Sequence, residues 1–210
     1  LEEFPALRAR VRVLDEHLKR PRSSDPEADG REHALTVLLF AAFVEHASLF
    51  AQFLIMKAFD RERNRFKGVA NIVEATSKEE QIHAMFGYKL VEVLREENPH
   101  WFDADLEARV LAACRDARAA EAAILDWIFE AGELDFLPRR SVDAFVDARF
   151  DGALEHAGFA PLFRPDPAEL EATRWFEEEV LAGKHTDFFH KRPTTYTKKA
   201  KAITADDLFG

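Results

Sequence analysis

LLFAAFVEHASLFAQFLI, residues 38–55, is so apolar that it has to lie inside something. Leu38, Leu39, Phe40, Phe43, Val44, Leu49, Phe50, Phe53, Leu54 and Ile55 fall on every side of a helix, which predicts a segment buried nearly all round. A membrane span is the rival reading. It is rejected because Glu45, His46, Ser48, Gln52 and Lys57 interrupt the run and the charged stretch Asp60-Arg61-Glu62-Arg63 follows it. The core helix of an all-α bundle remains. An unpaired carboxylate in such a core costs on the order of several kcal/mol or neutralises itself, so Glu45 needs a reason to be there. A bound cation would relieve that cost.

Further along stands Glu79-Glu80-Gln81-Ile82-His83, again within a helical pattern. Glu80 and His83 are three residues apart, project from one face of a helix and can ligate a single metal ion. Alone, the pair reads more readily as an exposed acid beside a core histidine. Glu45 on the preceding segment shifts the weight toward a metal site. Glu16 with His17 and Glu32 with His33 are adjacent residues that do not share a helix face, and neither offers a second pair. His46 points about 100° away from Glu45 and reads as a hydrogen-bonded histidine of the core or of the site's surroundings.

The rest of the composition is that of an ordinary globular chain. It has 210 residues, 47% hydrophobic and 32% charged, enough for one domain with a full core. A formal charge of −10 argues against general affinity for nucleic acid or anionic membranes. The single cysteine, Cys114, cannot form an internal disulfide and reads as a small buried hydrophobe. With no signal peptide or spanning helix in the sequence, it predicts a reducing, cytoplasmic location. There is no glycine-rich phosphate loop, no zinc-spaced Cys/His cluster and no internal repeat.

Apolar spacing predicts helices over residues 2–20, 31–59, 68–97 and 103–131, and a further one from an N-cap at Ser141 to about His156, closed by Gly158. Asn98-Pro99 stops the third of them. After Pro161, Pro165 and Pro167 a short helix is expected over Glu169–Leu181. Residues 1–182 thus form the helical domain, and residues 183–210 a flexible tail.

Several blocks together carry a resemblance to a known family. Phe43-Val44-Glu45-His46-Ala47-Ser48-Leu49-Phe50 and Val73-Glu74-Ala75-Thr76-Ser77-Lys78-Glu79-Glu80-Gln81-Ile82-His83 resemble the second half of the metal site in the small, radical-generating subunit of class I ribonucleotide reductase. Ser141-Val142-Asp143-Ala144-Phe145 through Ala160-Pro161-Leu162-Phe163 resembles the family's later helix and its proline turn. Phe188-Phe189-His190-Lys191-Arg192-Pro193-Thr194-Thr195-Tyr196 resembles the start of its tail.

The resemblance implies a ferritin-like helical bundle holding a dinuclear metal centre, Fe/Fe, Mn/Mn or Mn/Fe. That centre stores an oxidant for the reduction of ribonucleotides to deoxyribonucleotides on a separate catalytic large subunit. Carried over residue by residue, Glu45, Glu80 and His83 match metal ligands. Glu79 falls where the family often has an aspartate in the electron-transfer route, or is a surface acid. Tyr196 is the candidate radical-relay tyrosine of the tail, or a contact residue. Asp206, Asp207, Leu208 and Phe209 resemble the terminus that docks on the large subunit. The 19 phenylalanines would supply a dry shell, although core packing alone accounts for most of them.

The departures are equally informative. The family's site takes six ligands, and the helices carrying its aspartate, its first Glu-x-x-His pair and its stored-radical tyrosine have no counterpart here; the only tyrosines are Tyr88 and Tyr196. The expectation is therefore the C-terminal half of a split subunit. A companion chain would carry the N-terminal half, the completed subunit would form a homodimer, and the large subunit would be its partner. A fragment of a longer parent is the other reading, as the start at Leu1 allows. Two further readings stay open: another ferritin-like dimetal oxidase, and a non-catalytic piece that binds the large subunit.

Overall fold

Asp25 starts the first element of the core by accepting a hydrogen bond on its side chain from the Glu27 backbone N–H at 3.1 Å, with Pro26 at the first helical position. A computed structural model of the chain describes residues 3–18 and 24–181. It is helical, with no strand among the described residues and a single isolated bridge between Leu134 and Leu137. The elements are α1 (Pro5–Leu18), α2 (Pro26–Leu39), a π-helical turn (Phe40–Glu45), α3 (Phe50–Arg63), α4 (Lys67–Glu97), a 3-10 turn (Pro99–Trp101), α5 (Ala104–Ile128), α6 (Arg139–His156) and α7 (Pro167–Leu170). A 3-10 turn (Glu171–Thr173) and a second π-helical turn (Phe176–Leu181) complete it. The expected all-α bundle is present.

Sequence periodicity placed α4 and α5 closely. It misread the segment expected as one helix over residues 31–59. That stretch is α2, a π turn, four residues of turn, and α3, with Leu49 in the left-handed region at φ 74°. A run that is apolar at nearly every position carries no periodicity by which a helical and a π backbone could be told apart. Nor is the run buried on every side: Phe40 and Leu49 are exposed, whereas Leu38, Phe43, Phe50 and Leu54 are in the core. Ser141 is likewise not an N-cap. Pro138 holds that place, and Ser141 is buried inside the first turn of α6. Gly158, at φ 85°, ends α6 as expected, just beyond the Ala157 cap. In place of a helix over residues 169–181, α7 gives way to 3-10 and π turns.

The core is one apolar cluster drawn from α2, both π turns, α3, α4, α5 and α6, with Phe150 and Phe176 among its fully buried rings. α1 lies on α5, fixed by Arg10, whose Nη2 donates to Glu121 Oε1 and Oε2 at 2.5 and 2.6 Å. Asp103 caps α5 through the Leu106 N–H at 2.9 Å. α4 packs on the π turn, α3 and α2. That packing depends on Gly87, where a Cβ would meet the Ala41 Cβ at 2.4 Å. A bare backbone here lets α4 close onto the turn that carries Glu45.

Pro26–Arg63 is, among the described residues, the one stretch long and apolar enough to cross a membrane by length and composition, and more than half of its most apolar window is covered by the fold. Cys114 is buried, and burial pushes its thiol up to about 12, so it behaves as a packed hydrophobe.

Candidate metal centre

Glu45 ends the π turn, and Glu80 and His83 lie one helical turn apart on α4. Because Gly87 brings α4 against the π turn, one ligand atom from each of the three residues comes within 4.8 Å of the others. His83 Nδ1 is 3.2 Å from Glu80 Oε2 and 3.4 Å from Glu45 Oε2. The two carboxylates are mostly covered, at 16% and 23% side-chain exposure, while His83 is 59% exposed. The sequence-expected trio is thus brought together at the edge of the core.

Burial raises the Glu45 pKa to about 7, aided by Glu80, which shares a hydrogen bond with it and repels its charge. His83 is raised from its usual value chiefly by its hydrogen bond to Glu80, with Glu45 adding to the effect. Glu45 and His83 therefore hold their protons more tightly than free side chains do, and a cation can take their place. Two carboxylates and an imidazole suit iron or manganese. Among the described residues, these three are fewer than the ligands a dinuclear carboxylate site uses, and they fit half of one.

The helix bearing two of the ligands is apolar on both flanks. Ala84, Gly87 and Val91 face the core, while Ile82, Met85, Phe86, Leu90 and Val93 are exposed. At helical spacing His83 falls on the border between these faces. An apolar face of this extent on a globular protein marks a surface that another element covers.

The remaining sequence candidates are placed as follows. Glu79 is exposed and is not one of the three residues whose ligand atoms converge. Glu32 is bound in a fork by Arg109, at 2.6 and 2.8 Å, and His17 pairs with Asp116 at 2.9 Å, so both are occupied elsewhere. His46 is half-buried, its ring edge-on to Tyr88 at 5.7 Å and against His156 at 5.5 Å; desolvation holds its pKa well below the usual value. Among the described residues the Tyr88 hydroxyl is buried without a hydrogen-bond partner. Tyr196, Asp206, Asp207, Leu208 and Phe209 lie outside the described residues. Sequence reasoning missed Gly87 and Arg149. The Nε of Arg149 donates to the His46 carbonyl at 2.9 Å from across the bundle. A glycine four residues after a ligand was a signal for the first; nothing in the sequence pointed to the second.

A family model described as "Ribonucleotide reductase, small chain" matches residues 1–171. A probable ribonucleoside-diphosphate reductase small subunit of Invertebrate iridescent virus 3 is 30% identical over 176 residues, which is 83% of this chain and 45% of the viral protein. The ribonucleoside-diphosphate reductase subunit beta of Chlamydia pneumoniae is 25% identical over 190 residues, covering 89% of this chain and 51% of that protein. The chain spans about half the length of these curated relatives.

Proposed function

We propose, because this chain belongs to the ribonucleotide reductase small-chain family, that it contributes half of a dinuclear metal centre in a ribonucleoside-diphosphate reductase. Glu45, Glu80 and His83 are the ligands on this half, and their convergence within 4.8 Å is the observation that carries the reading. When bound, an iron or manganese pair supplies a one-electron oxidant for ribonucleotide reduction on the large subunit. Glu45 and Glu80 would hold the cation through their carboxylates, which neutralise its charge, and His83 through an imidazole nitrogen.

The other ligands come from a companion carrying the N-terminal half of the subunit. One observation supports this: α4 leaves Ile82, Met85, Phe86, Leu90 and Val93 exposed beside His83. Residues 1–182 would be the helical half and residues 183–210 the tail, with Tyr196 relaying the radical and Asp206, Asp207, Leu208 and Phe209 docking on the large subunit. The completed subunit would pair as a homodimer. Glu79, exposed next to Glu80, lies beside the electron-transfer route.

The test is reconstitution of this chain with the companion half and the large subunit, followed by assay of ribonucleotide reduction. Tyr196→Phe should leave metal loading intact and remove turnover. Normal turnover in that variant would place the relay elsewhere, and no turnover in any reconstituted mixture would leave the chain a non-catalytic piece.

A further inference from the structure

We propose that Arg149 is the positioning residue for Glu45, an inference that rests on the metal-site reading above. Glu45 is the one member of the trio that is not on α4, so its place depends on the turn that carries it. That turn has an irregular backbone. His46 N–H reaches back five residues to the Ala41 carbonyl at 3.2 Å, and Ser48 N–H does the same to Phe43 at 3.0 Å. Leu49 then reverses into the left-handed region, and Phe50 N–H bonds only three residues back, to Ala47 at 3.4 Å. The Phe50 N–H that regular helical bonding would have given to the His46 carbonyl is therefore spent elsewhere.

Arg149 fills the gap from α6. Its Nε and Nη2 both donate to the His46 oxygen, one peptide from the Cα of Glu45. The side chain is 6% exposed, and its remaining contacts account for a buried cation: Nη1 lies 3.5 Å from a Glu177 carboxylate oxygen, and the guanidinium carbon stands 4.0 Å over the Phe50 ring. The planar fork thus holds both ends of the turn, the carbonyl at His46 and the ring at Phe50, where α3 begins. A lysine retains the charge but not the two-pronged grip on one oxygen. The clamp sets Glu45 at its distance from His83 without touching the metal.

The test uses the full chain and compares Arg149→Lys with Arg149→Met, the former keeping the buried charge should the latter fail to fold. In the metal-free chain, the His83 ring nitrogen signals are recorded by NMR with and without Glu45→Gln. Glu45→Gln shifts them in the parent. In the Arg149→Lys background the same substitution should have little effect, because Glu45 has already left His83, while circular dichroism remains that of the folded chain. An undiminished Glu45→Gln shift in Arg149→Lys would overturn the proposal. A second readout is Co(II) affinity of the chain joined to its companion half, expected to fall about tenfold or more in Arg149→Lys, as for other residues that orient a ligand. If the parent assembly takes up no Co(II), the metal reading fails, and the His83 signals still decide whether Arg149 places Glu45.

Discussion

At Glu45 and His83 the surroundings favour the protonated form, which a bound metal would have to displace. Burial and Glu80 raise the Glu45 pKa from 4.5 to about 7, and Glu80 raises His83 above 6.5. In both cases the folded state binds protons more tightly than the unfolded state. Metal-free stability from these groups is therefore greatest at low pH, falls between about pH 4.5 and 7 through Glu45, and falls further above pH 6.5 through His83. The melting temperature of the metal-free parent should drop relative to Glu45→Gln as pH rises across that interval. A constant difference would mean that Glu45 ionises normally. The residue scale was largely legible in the sequence. An acid inside an apolar run and a Glu/His pair at helical spacing identify themselves by chemistry that core packing does not require. Arg149 did not, because its role is to satisfy a carbonyl freed by a backbone irregularity more than a hundred positions earlier in the chain.

Gly87 belongs to the scale of elements, since it fixes the distance between α4 and the π turn. With 2.4 Å between the Ala41 Cβ and a Cβ at position 87, Gly87→Ala forces one backbone away from the other. Overpacking of this kind costs about 1–3 kcal/mol. Denaturant unfolding should register that loss, and Ala41→Gly in the same chain should recover part of it by returning the space. Equal stability of Gly87→Ala and the parent would show that α4 does not depend on this contact. The π turn itself was not legible, because residues 38–55 are apolar at nearly every position and carry no periodicity that tells a continuous helix from a broken one. The consequence is functional: π-helical turns occur often at functional sites, and this one ends on Glu45.

On the scale of the whole molecule, α4 presents an apolar flank that is exposed among the described residues. Ile82→Lys with Phe86→Lys should reduce self-association of the isolated chain in light scattering and prevent joining to the companion half, with helix content unchanged, because both side chains are exposed. Unaltered joining would place the companion on another face. The sequence announced a core helix carrying Glu80 and His83, but amphipathic patterning does not reveal which apolar face the same chain covers. Metal content of the chain purified with its companion half tests the central claim most directly. Elemental analysis should find about two iron or manganese ions per completed subunit, as a dinuclear carboxylate site requires, with loss of metal in Glu80→Ala and in His83→Ala. Retention of both ions by either variant would contradict the assignment of Glu45, Glu80 and His83 as one half of the centre.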